Sequence, residues 1–134
     1  MGFKAEGFRA EGSFELTAFE PVETEEREGA SFGRIRIAKT FTGALSGTSE
    51  VRMLSVGGPS GGPASYVAVE HVTGELDGHK GSFVLQHTAW DATGTTIRVV
   101  PGTGAGELAG ITGEFHLTVD ESGAHSFVLE YELG

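Results

Sequence analysis

Apolar and polar residues alternate along most of this chain, in short runs rich in Val, Ile, Phe and Thr that are separated by glycines. A period of two marks a strand with one buried face. The alternation predicts eight strands, at approximately 10–19, 33–42, 48–56, 64–73, 82–90, 95–101, 113–119 and 124–133. No window of helical length carries a 3.6-residue period with caps. Residues 20–31 read as an acidic connection with room for a turn of helix. Residues 57–63, Gly-Gly-Pro-Ser-Gly-Gly-Pro, read as a loop and as the most flexible point of the chain.

The phrase Gly-x-Leu-x-Gly occurs three times, with its first glycine at Gly43, Gly74 and Gly106. Such regular spacing implies copies of one supersecondary unit, here strand, glycine turn, strand. Strands 2–3, 4–5 and 6–7 are then antiparallel hairpins. Gly12-Ser13-Phe14-Glu15-Leu16 resembles Gly81-Ser82-Phe83-Val84-Leu85 and Gly113-Glu114-Phe115-His116-Leu117. Strand 1 is therefore the second half of a fourth unit, and the last strand supplies its first half. Pairing the two ends gives an all-β fold: a closed eight-stranded antiparallel barrel with no free edge. A two-sheet sandwich is the alternative. The expected domain is single and spans residues 1–134.

Aligned at their glycines, the repeats put Ile35, Ile37, Lys39 and Phe41 in phase with Tyr66, Ala68, Glu70 and Val72. Val51, Met53 and Ser55 match Phe83, Leu85 and His87, and also Phe115, Leu117 and Val119. Both phases are apolar and are assigned inward. Lys39, Glu70 and His87 break the pattern, and a buried charge must be paired or functional. A hairpin symmetric about Gly74–Gly81 opposes Glu70 to Leu85 and Ala68 to His87. Glu70 and His87 then lie on one face as diagonal neighbours, roughly 7 Å apart at the backbone. Burial raises a carboxyl pKa, whereas Lys39 or His87 beside it lowers it.

The candidate catalytic residues are accordingly Glu70, His87 and Tyr66. The candidate ligand contacts are Lys39, Ile37, Met53, Leu85, Tyr131 and Trp90, the last near one barrel mouth. The bland alternative is a polar network that only fixes barrel register.

Composition narrows the chemistry. The 134 residues include 22 glycines and no cysteine, and the net charge is −10. No basic stripe exists to neutralise phosphates, which argues against nucleic acid and anionic membrane surfaces. Thiolate metal sites and thiol hydrolases are excluded. His71, His79 and His87 are spaced by eight, but His71 has the wrong phase and His79 sits in a turn. No metal and no cofactor are expected. Gly104-Ala-Gly106-Glu-Leu-Ala109 fits a loose dinucleotide fingerprint, but a strand follows it rather than a helix. His116 and His125 are expected outward or near a strand end. With no apolar leader or bilayer-length span, the expected setting is cytoplasmic. Val67, Val69 and Val84 on the outward phase predict an apolar exterior wall and a homodimer or higher homo-oligomer.

Several phrases together resemble the bacterial DUF3224 proteins: Lys39-Thr-Phe41-Thr-Gly-x-Leu-x-Gly-Thr-Ser, Tyr66-Val-Ala-Val-Glu70-His-Val-Thr-Gly-Glu-Leu-x-Gly, Gly81-Ser-Phe-Val-Leu-Gln-His87, Gly104-x-Gly-Glu-Leu-Ala-Gly-Ile-x-Gly and Leu129-Glu-Tyr131. The resemblance runs over nearly the whole chain. It implies a barrel similar to that of plant allene oxide cyclase, with a ligand-sized lumen, and carries over no cyclase residue. Three functions follow as expectations. The first is a cofactor-free isomerase or cyclase acting on a small, largely apolar molecule in the lumen. The second is a lipocalin-like binder of such a molecule. The third is a structural barrel with a protein interface.

Overall fold

The alternating runs form strands, and the computed structural model describes residues 7–58, 63–90 and 94–134. In chain order the strands are β1 (Phe8–Arg27), β2 (Ala30–Gly43), β3 (Leu45–Gly57), β4 (Pro63–Leu76), β5 (His79–Ala89), β6 (Thr95–Val99), β7 (Ala105–Gly106), β8 (Thr112–Val119) and β9 (His125–Glu132). Every pairing is antiparallel, in the order β4-β3-β2-β1-β9-β8-β6-β5-β7, and β4 also pairs β5. Eight strands thus close into a barrel, and the two-residue β7 is an addition. The ends of the chain pair as the split unit requires, from Phe8↔Tyr131 to Phe14↔His125. The central hairpin folds in the expected register, with Glu70↔Leu85 and Ala68↔His87.

The repeated phrase does something other than mark one turn three times. Its leucines, Leu45, Leu76 and Leu108, are all buried and plug one end of the barrel. The turns around them differ. Asp77 and Gly78 both have positive φ and make the tight two-residue β4–β5 turn. The first glycines are packing devices: Gly74 lies across from Gly47, and a Cβ on either would overlap a carbonyl oxygen of the facing strand.

Two expectations change. Residues 20–27 are not a connection with a helical turn: β1 runs through them to Arg27. Outward Glu20 and Glu23 meet Arg36 and Arg34 of β2 at 2.6 Å and 3.3 Å. A glutamate run can lie in a strand when its partner strand supplies the cations. The second change follows from this length. β9 pairs β1 only as far as Phe14, so beyond it β1 has a neighbour on one side only among the described residues. The barrel closes, but this extension leaves an edge. Pro21, the acidic side chains and two bulges, at Thr17 and Val22, make that edge a poor template for further pairing. The 57–63 loop lies largely outside the described residues.

The interior divides into two apolar clusters along the barrel axis. The larger packs Phe14, Phe41, Phe115 and Phe127 with the three leucines, and its rings meet at centroid distances of 5.2–6.5 Å. The smaller joins Ile37, Val51 and Ala68, with Ile35, Met53 and Tyr66 half-buried around them. The polar residues sit between these clusters.

Candidate functional site

Four consecutive strands each contribute one polar side chain to a single layer: Lys39 from β2, Ser49 from β3, Glu70 from β4 and His87 from β5. Alternation fixes the level of each. Lys39 lies between Phe41 and Ile37 on its strand face, Glu70 between Val72 and Ala68, and His87 between Leu85 and Ala89. Glu70 is fully buried, and the other three are 5–7% exposed.

Glu70 is the hub. Its Oε1 accepts from Lys39 Nζ at 3.2 Å and from His87 Nε2 at 2.7 Å, and its Oε2 accepts from Ser49 Oγ at 2.5 Å. The ammonium of Lys39 also stands 4.6 Å from the centre of the Phe14 ring. Burial alone would raise the Glu70 carboxyl. The hydrogen bond from His87, the charge of Lys39 and the bond from Ser49 outweigh it and hold the carboxyl below its ordinary 4.5. Glu70 is therefore a carboxylate, and His87 must carry its proton on Nε2 to donate to it.

A carboxylate that is fully buried, charge-paired and already accepting three bonds is a weak base with no face left for a substrate. Its suited task is to orient His87 and neutralise Lys39. Lys39, His87 and Glu70 come together as the alternation requires. Ser49 belongs with them and was not among the candidates. Its signal was present, since it lies two residues before Val51 on the inward phase, but a serine does not stand out there as a charge does.

The remaining candidates separate by depth. Ile37 and Met53 lie on the mouth side of the polar layer, in the smaller cluster. Tyr66 is there too, opposite Ala89 and four residues from Glu70, and among the described residues no hydrogen bond joins it to the layer. Leu85 lies on the other side, wholly within the larger cluster. Tyr131 lies there as well. Burial and then its bond to Asp77 raise its phenol, and the hydroxyl donates to Asp77 Oδ2 at 2.5 Å near the plugged end. Trp90 is 80% exposed.

Above the polar layer the inward apolar wall is incomplete. Leu16 and Phe19 share the inward phase of β1, opposite Lys39 and Ile37, yet they are 40% and 58% exposed. Leu117 and Val119 on the inward phase of β8 are exposed too. The wall is uneven, because β1–β4 continue past the ends of β5 and β9. β6 and β8 share only the Arg98↔Glu114 position, which leaves a seam beside the mouth.

The other histidines stand apart. His71 faces outward next to Glu50, His79 Nδ1 lies 3.3 Å from the Leu76 carbonyl, and His116 meets Glu130 at 2.9 Å on the surface. His125 is half-buried at the start of β9 and stacks on Phe14. Among the described residues no three or more His, Asp or Glu converge as a metal site. Nor is any helix there long and apolar enough to cross a membrane.

No curated protein matches the chain. A crystal structure at 1.84 Å of a protein of unknown function from the DUF3224 family of Shewanella oneidensis MR-1 is similar to it, with a TM-score of 0.87 and 34% identity over 96% of this chain and 99% of that one. The model of the same family, described as a protein of unknown function, matches residues 10–131. Sequence phrases, barrel and solved relative agree, and the chain belongs to the DUF3224 family.

Proposed function

We propose that this barrel binds a small, largely apolar molecule in its mouth half, above the Glu70 layer. One observation carries the reading: beyond the polar layer the inward apolar face continues through Ile35, Met53 and Tyr66, which are only half-buried, to Leu16 and Phe19, which are 40% and 58% exposed. A concave apolar wall ending on a few fixed polar groups is the usual build of a small-molecule site. Lys39 and His87 supply the polar groups at the floor of the site, while Glu70 holds both in place.

Native mass spectrometry of protein purified under non-denaturing conditions tests the reading. The expected result is a discrete added mass that disappears on denaturation and is absent from Met53→Trp, which fills the mouth. An unladen wild-type spectrum, or equal loading of Met53→Trp, contradicts it.

A catalytic form of the same reading has one supporting observation, the Glu70–Nε2 bond that orients His87. It assigns proton movement to His87 Nδ1 in a cofactor-free isomerisation, with Glu70 as a positioning residue. Once the bound molecule is known, its turnover by His87→Gln against wild type decides between binder and isomerase. Loss of turnover with retained affinity supports catalysis.

A further inference from the structure

The outer face of the β2–β4 wall carries a second feature. Phe32, Leu54, Val67 and Val69 are between 43% and 55% exposed, and they occupy neighbouring outward positions on three adjacent strands. Together they make a contiguous apolar patch beside a groove of about 700 Å³ lined by Leu54, Val67 and Val69, by Arg34, Arg36 and Arg52, and also by Ile35, Met53 and Ala68. Isolated exposed apolar residues are ordinary, but a contiguous patch marks a contact surface.

Charge indicates what the patch contacts. The chain as a whole carries −10, so two copies repel each other over most of their surface. This wall is the exception. Arg34, Arg36 and Arg52 stand on it beside Glu20, Glu23 and Glu50, three cations against three carboxylates, for no local net charge. Arg36 bridges Glu20 and Glu50 at 2.6 Å and 2.9 Å, and Arg34 meets Glu23 at 3.3 Å. A neutral apolar wall on an acidic body is where a second acidic body can approach at least cost. It has no excess positive charge to favour an anionic ligand or nucleic acid.

We infer that this wall is the interface of a homodimer, with β3 and β4 of two copies packed face to face about a two-fold axis parallel to the strands. The register makes the contact specific. Leu54 is paired with Val67 across β3 and β4, so an axis between these strands sets Leu54 of one copy over Val67 of the other. Packed sheets of this kind lie about 10 Å apart, close enough for the two patches to exclude water.

Sedimentation equilibrium at tens of micromolar tests the inference. The wild type is expected to have about twice the 14.0 kDa chain mass. Leu54→Glu/Val67→Glu is expected to sediment as a monomer with an unchanged far-ultraviolet circular dichroism spectrum, since both side chains face outward. Because the chain has no cysteine, Leu54→Cys and Val67→Cys each carry a single thiol. Their mixture should form more disulfide-linked dimer under mild oxidation than either variant alone. A monomeric wild type, a dimer that survives the double glutamate substitution, or no gain in cross-linking on mixing would each overturn the assignment.

Discussion

The two halves of the barrel are built from the same alternating strands and end in opposite states. In the plugged half, inward residues from all around the barrel meet, and five phenylalanines and five leucines are buried together. In the mouth half Ile37, Val51 and Ala68 are buried, but Ile35, Met53 and Tyr66 stay half-buried and Leu16 and Phe19 exposed. Hydrophobicity alone does not close a lumen. Closure also needs strands of matched length, and at the mouth β1–β4 outrun their neighbours. The buried polar layer lies at the transition, between the larger cluster below and the smaller one above.

The largest effect expected is at that layer. Glu70→Gln removes the charge that compensates Lys39 while keeping the shape of the side chain. Stranding one member of a buried ion pair costs about 3–5 kcal/mol, and urea denaturation reads it directly. Adding Lys39→Met should recover more than half of the loss, because the stranded charge is gone. A double variant no more stable than Glu70→Gln would show that the layer is not held by this pair.

A substitution of the same type in each half tests the contrast itself. Phe115→Ala opens a cavity beneath the layer and should cost roughly 3–5 kcal/mol. Phe19→Ala, at a 58% exposed position above it, should cost under about 1 kcal/mol. Equal costs would mean that the mouth is packed as tightly as the plug.

A smaller effect is expected from acid. Glu70 is held below its ordinary 4.5 in the folded protein, so its stabilising contribution is complete above that value and is lost as pH falls through the lower folded value. The stability gap between wild type and Glu70→Gln should narrow as pH falls below about pH 4.5. A gap that stays constant down to pH 3 would place the Glu70 titration elsewhere.

The sequence carried face and register well, and depth poorly. Glycine-aligned alternation placed Lys39, Glu70 and His87 inward and gave the β4–β5 pairing, because a one-residue slip would turn every apolar side chain outward. Alternation repeats identically along a strand, so it could not tell Leu85 and Tyr131, sealed in the plug, from Met53 and Tyr66 at the mouth. Ser49 passed unnoticed for lack of charge. The Glu20–Arg27 stretch hid its strand because its partners, Arg34 and Arg36, lie in the next strand rather than alongside it in sequence. Bulges at Thr17 and Val22 further broke the period there.

Met53 and Leu54 allow the central claim to be tested most directly, because they are neighbours in sequence and point to opposite faces of β3. The measurement is a fluorescence titration with 1-anilinonaphthalene-8-sulfonate, excited above the tryptophan band, on wild type, Met53→Trp and Leu54→Glu. If the mouth half is the binding site, Met53→Trp loses at least ten-fold in probe affinity while Leu54→Glu binds as the wild type does. Wild-type binding by Met53→Trp, with the loss confined to Leu54→Glu, would contradict the account.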